Sequence, residues 1–113
     1  MRVLNVTRSS VLGDNIGVAD TSAKRRTGLL KHTGLGEGEG LWIAPCEAIH
    51  TFAMKFAIDV LFLSKKRKVL KLRKDMGKRK IALCLRAYSV LELPVGVIET
   101  TGTQIGDQLA FEK

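Results

Sequence analysis

Apolar residues at alternate positions, interrupted by glycine-bearing turns, run through most of the chain and predict a β-rich fold. Residues 2–7 set Leu4 and Val6 against Val3, Asn5 and Thr7, the period-two pattern of a half-buried strand. Gly13-Asp14-Asn15 has turn chemistry, since Gly and Asn tolerate positive φ and Asp bonds its own backbone. Residues 16–19 then predict a short second strand, paired with the first as a hairpin. Asp20, Thr21 and Ser22 each offer an N-cap oxygen to a short helix over residues 23–31, with Ala23, Thr27 and Leu30 along one face. Gly28 weakens the interior of that helix and Gly34 is expected to end it.

Leu41-Trp42-Ile43 predicts a strand that stops at Pro45, which pushes Ala44 into an extended conformation. Residues 58–64 are apolar on both faces, as a central strand covered on each side would be. Residues 68–74, with Leu70 and Leu72 facing the core, and residues 81–85 and 88–93 supply further strands. Residues 97–101 predict a single helical turn closed by Gly102, and residues 108–111 a closing strand. The expected class is α+β: one domain over residues 1–113, built on a curved, mostly antiparallel sheet or partly open barrel with one short helix.

Size and composition agree with this. At 113 residues, with 45% hydrophobic and 27% charged residues, the chain can bury a core without metal or disulfide support. No apolar run approaches the roughly 20 residues of a membrane span. The first residues turn polar too quickly for a secretory signal, so a cytoplasmic location is expected. Cys46 and Cys84 form no disulfide framework, and two reduced, partly buried thiols are the expectation.

The net charge of +8 is unevenly placed. Lys65, Lys66, Arg67, Lys68, Lys71, Arg73, Lys74, Lys78, Arg79 and Lys80 fall within sixteen residues that hold one acid, Asp75, so this run carries +9 and the rest of the chain −1. Such a run has two readings. It can be a solvated edge that blocks sheet-to-sheet pairing, or a surface for a polyanion or an acidic protein. With no Phe, Tyr or Trp between Lys65 and Lys80, base stacking is unavailable to it.

Candidate chemistry lies in residues 46–63. Cys46, His50 and Met54 repeat at i, i+4, which on a helix would align three soft or borderline metal ligands. Pro45 and the aromatic and β-branched neighbours favour extended backbone instead, where Cys46 and His50 would stand about 13 Å apart. No CxxC or HxxxH spacing supports a metal, and no metal or cofactor is expected. A Cys46–His50 nucleophilic pair, oriented by Asp59, is the enzymatic version, with His32 as the other available imidazole. Asp59 and Glu92 each sit between apolar strand residues, where an unpaired carboxylate costs several kcal/mol. Asp59 therefore needs His50, Lys55, Arg86 or backbone amides, and the two acids could instead form an acid/base pair. The glycines at every second position from Gly34 to Gly40 match neither phosphate-binding fingerprint and predict a flexible connection. The leading reading is a small non-enzymatic ligand-binding or accessory domain, with Cys46, His50, Met54, Asp59 and Glu92 as candidate ligand-binding residues. An enzyme using Cys46, His50 and Asp59, and an anion-binding surface over residues 65–80, are the alternatives.

Leu-Trp-Ile-Ala-Pro-Cys at 41–46 and His-Thr-Phe-Ala-Met-Lys-Phe-Ala-Ile-Asp-Val-Leu-Phe-Leu at 50–63 resemble the core motif of a small prokaryotic family, domain of unknown function 192. Arg26-Thr27-Gly28-Leu29-Leu30, Val90-Leu91-Glu92-Leu93-Pro94-Val95-Gly96 and Gly106-Asp107-Gln108-Leu109 fit the same pattern in the same order. The resemblance implies a compact β-rich domain with no established activity. The chain departs from the pattern at Ala53 (usually Gly), at Ala57 (often Pro) and at Ser64-Lys65-Lys66-Arg67, a turn commonly rich in Asp and Gly. The resemblance therefore does not explain the basic run.

Overall fold

A computed structural model describes residues 1–52 and 54–113; Ala53, one of the departures from the family motif, lies outside the described residues. The chain begins with strands β1 (Arg2–Asn5), β2 (Ser10–Gly13) and β3 (Asn15–Ala19), followed by helix α1 (Ser22–Thr27). Strands β4 (Glu39–Ile43), β5 (Ala48–His50), β6 (Ile58–Leu63), β7 (Val69–Met76), β8 (Ile81–Leu83) and β9 (Ser89–Leu93) come next. Helix α2 (Val97–Thr101) and strand β10 (Leu109–Glu112) complete the fold. No helix among the described residues is long and apolar enough to cross a membrane.

A five-stranded sheet in the order β3-β4-β9-β6-β7 is the central layer, antiparallel except for the parallel pair β3–β4. Every residue of β6 and of β9 is buried, because these two strands pair with each other and carry a core on either face. Residues of alternating parity serve the two cores. Leu61, Leu63, Leu91 and Leu93 point to the first, which is closed by α2 and by the three-stranded sheet β10-β1-β2. Ile58, Val60, Phe62 and Val90 point to the second, which is closed by Leu29, Ile49, Met54 and Ala82. Ile49 and Ala82 belong to a two-stranded arm formed by β5 and β8. The expected α+β class and mostly antiparallel sheets are found; among the described residues the sheets stay open, and there are two short helices rather than one.

Several local expectations are corrected. The hairpin partner of β1 is β2, which has only Val11 and Leu12 as apolar residues, too few to give a period. Residues 16–19 instead lie in β3, parallel to β4. Helix α1 is capped by Thr21, whose hydroxyl accepts the Lys24 amide at 3.2 Å, and it stops at Gly28 rather than Gly34. Gly28 has φ +48° and ψ −127°, which turns the chain away from helical backbone. Strand β4 begins at Glu39, inside the glycine-rich connection. A side chain at Gly40 would place its Cβ 2.7 Å from the Glu92 carbonyl oxygen, so glycine there lets β4 lie close to β9.

Asp59 and Asp107 are the buried acids that hold elements together. Asp59 accepts hydrogen bonds from the amides of Asp75 (2.8 Å), Gly96 (3.1 Å) and Ile98 (3.0 Å), tying β6 to the far end of β7 and to the start of α2. Of the partners expected for it, backbone amides are those found. Asp107 accepts from Asn5 Nδ2, Arg8 Nε and the Gln104 amide. Desolvation pushes its carboxyl up, but these donors pull harder and hold it below its usual value.

Candidate functional site

Beside the second core, the chain leaves an open cleft of about 440 Å³. One wall is α1 and the turn after it, with Arg25, Arg26 and Leu29. The other is formed by residues 45–50, and Ile43, Met54 and Glu92 lie deeper. The placement follows from topology. The parallel pair β3–β4 needs a crossover, and residues 20–38 supply it, which carries α1 across the end of the sheet where the chain leaves β4. The Ala44–Pro45 peptide is cis, and the Cys46 amide donates to the Tyr88 carbonyl at 2.8 Å.

Cys46, His50, Met54 and Glu92 all line this cleft, but not as one helical face. The chain bends on both sides of β5: Cys46 precedes the strand, and a turn in which the Met54 amide donates to Thr51 follows it. Met54 is a buried core residue at the floor. His50 is exposed at the rim, its ring 5.5 Å from that of Phe52. The Cys46 thiol donates to the Ala48 carbonyl at 3.1 Å, and burial, its largest influence, pushes its pKa up. Glu92 raises it further and Arg25 offsets part of this. The sulfur is therefore held as a thiol, the opposite of what nucleophilic attack requires. Among the described residues, no three His, Cys, Asp or Glu side chains gather closely enough to hold a metal ion.

Asp59 is not at this site. In the β6–β9 register, Asp59 faces Leu93 while Glu92 faces Val60, so adjacent rungs send the two carboxylates to opposite faces of the sheet. Asp59 points to the core closed by α2, and Glu92 to the cleft. The two acids therefore do not form an acid/base pair.

Glu92 differs chemically from Asp59. It is 4% exposed, yet among the described residues no donor reaches its carboxyl, and desolvation alone raises its pKa to about 7. Arg25, half-buried at the cleft wall, makes only long contacts of 3.4 Å with the Asp20 carbonyl and the Ser22 hydroxyl. Its guanidinium has no acidic partner among the described residues. Sequence reasoning missed Arg25 and Arg26, because nothing local to α1 says which surface it covers.

The ten bases of the 65–80 run do not share one environment. Lys65, Lys66 and Arg67 sit in the turn between β6 and β7, with the Arg67 guanidinium 4.1 Å from the Phe111 ring centroid. Lys68 is exposed beside them, bridged to Gln108. Lys71, Arg73 and Lys74 lie on β7, where Lys74 pairs with Glu99 at 3.1 Å. Lys78, Arg79 and Lys80 form the exposed link to β8.

The sequence pattern of domain of unknown function 192, described as "Uncharacterized ACR", matches residues 4–111. The chain belongs to this family. A family relative called a "UPF0127 protein", from Thermococcus sibiricus, is 32% identical over 97% of the chain and 74% of its own length. Among solved structures, a Novosphingobium aromaticivorans protein of unknown function superposes with a TM-score of 0.81 at 20% identity, over 97% of this chain and 82% of its own. A Sinorhizobium meliloti protein described as a candidate transcription regulator gives 0.82 at 18% identity, over 96% and 89%. At such identities the likeness is one of fold. These two solved proteins thus share this open, mostly antiparallel β-architecture, and the cleft is described from this chain's own residues.

Proposed function

We propose that this chain is a small ligand-binding domain whose site is the cleft between α1 and residues 45–50. Its ligand is a small amphipathic molecule carrying one anionic group. The observation that carries this reading is the Glu92 carboxyl: desolvated, facing an open cleft of ligand size, and with no donor on it among the described residues. A ligand donor that reaches this carboxyl would make a charge-assisted hydrogen bond in a largely desolvated setting. Around it the cleft is apolar at Ile43, Ile49 and Met54, which suits a hydrocarbon body. Arg25 and Arg26 suit the anionic end, a carboxylate or phosphate that a guanidinium can grip with two hydrogen bonds. Binding rather than catalysis is favoured because burial keeps Cys46 in its thiol form.

The test is a fragment screen by amide NMR, using small aliphatic and aromatic carboxylates and phosphates. Hits are expected to shift amides of α1, residues 46–50 and β9 together. Glu92→Leu and Arg25→Ala should each weaken them by about tenfold, the worth of one charge-assisted hydrogen bond. Hits that ignore both substitutions would remove the reading.

A further inference from the structure

The outer side of the β5–β8 arm carries an apolar row that neither core uses. Ala82 is buried with Ile49 under the arm, so the residues on either side of it, Ile81 and Leu83, point the other way and are 60% and 47% exposed. Leu85, in the turn that the Ala87 amide closes onto the Cys84 carbonyl, is 73% exposed. Cationic groups surround this row. Lys80 and Arg86 flank it in the chain and are exposed. The Lys71 ammonium donates to the Leu83 carbonyl at 2.7 Å, and the Lys65 ammonium lies 5.9 Å from the Tyr88 ring centroid. Within residues 47–50 and 78–88, the arm with its flanking turns, the one acid is Glu47.

We infer that this face docks on an anionic lipid bilayer. Three protruding aliphatic side chains within a basic rim match an interface that offers acyl chains below and phosphate groups at the surface. The partner must satisfy both halves of the pattern. Nucleic acid would meet the cations but leave the three aliphatic side chains against hydrated phosphate. A second copy of the chain would cover the leucines but oppose one basic rim to another. An anionic membrane neutralises the rim and takes up the row. The inference is independent of any ligand in the cleft.

Co-sedimentation of the full chain with vesicles tests it. Vesicles of mixed phosphatidylglycerol and phosphatidylcholine are expected to bind the protein at low salt, with release as salt rises, and vesicles of phosphatidylcholine alone to bind it weakly. The double substitution Leu83→Ser with Leu85→Ser, and separately Lys80→Gln with Arg86→Gln, should each weaken binding roughly tenfold or more. These side chains are on the surface, so circular dichroism of both variants should match the parent. Failure of the parent to bind phosphatidylglycerol vesicles at low salt would overturn the inference, as would binding that ignores the serine pair. Tighter binding to duplex DNA, unaffected by the serine pair, would assign the cations to nucleic acid instead. A dimer that the serine pair dissolves would assign the row to a second copy.

Discussion

Asp59→Ala gives the most decisive stability test, because the parent side chain is 1% exposed and accepts three backbone amides from two other elements. Alanine leaves all three donors without their acceptor. The Ile98 amide is in a buried setting and cannot recruit water, which costs about 1–3 kcal/mol. The Asp75 and Gly96 amides are partly buried and can be rehydrated, so each loses only a net hydrogen bond of about 0.5–1.5 kcal/mol. The sum is about 2–6 kcal/mol, centred near 4, a large fraction of the 5–15 kcal/mol that holds a domain folded. At about 4 °C per kcal/mol for a chain of this size, the melting temperature should fall by roughly 16 °C. Urea denaturation followed by circular dichroism at neutral pH measures it, with the midpoint moving and the slope unchanged. Asp59→Asn keeps one acceptor oxygen and should lose about half as much. An alanine midpoint equal to that of the parent would refute the reasoning.

Glu92 sets a pH dependence of the opposite kind. Its folded pKa of about 7 lies above the ordinary value of 4.5, so between these pH values the folded chain holds a proton that the unfolded chain has lost, and stability falls as pH rises. The loss approaches about 3 kcal/mol by pH 8, and Glu92→Gln, always neutral, should remove that part of the pH profile measured by thermal denaturation from pH 5 to 8. The same substitution removes a negative charge that raises the Cys46 pKa, so iodoacetamide should alkylate Cys46 a few-fold faster in Glu92→Gln than in the parent at pH 8, with Cys84→Ser as background; equal rates would count against the proximity of the two groups. Gly40→Ala should destabilise the fold by about 1–3 kcal/mol, since the new methyl would press on the Glu92 carbonyl; an unchanged urea midpoint would show that β4 and β9 have room to spare.

The sequence was most legible where local pattern and packing agree. The apolar run of β6, broken only by Asp59, announces a strand buried on both faces, and the two cores on either side bear that out. Helix α2 and its closing Gly102 also follow from local signals. What the pattern could not give is non-local. Strand β5 has three residues and one buried side chain, so it exists only because β8 pairs with it. Strand β2 is similarly short. That Asp59 and Glu92 face opposite sides of one sheet depends on the β6–β9 register, which no single stretch encodes. Asp59 and Glu92 look alike in sequence, each an acid between apolar residues. The difference is that α2 brings amides to one, while the other faces the cleft. Arg25 enters the site by the crossover between β3 and β4, a consequence of topology.

The central claim is that the Glu92 carboxyl is a desolvated acid presented to a ligand cleft. A carbon-13 NMR titration of that carboxyl, recorded alone and with a cleft-binding carboxylate or phosphate fragment, tests it directly. A midpoint near 7 in the free protein, displaced when the fragment binds, is the predicted result. A midpoint at the ordinary value near 4.5 that does not move with the fragment would contradict the account.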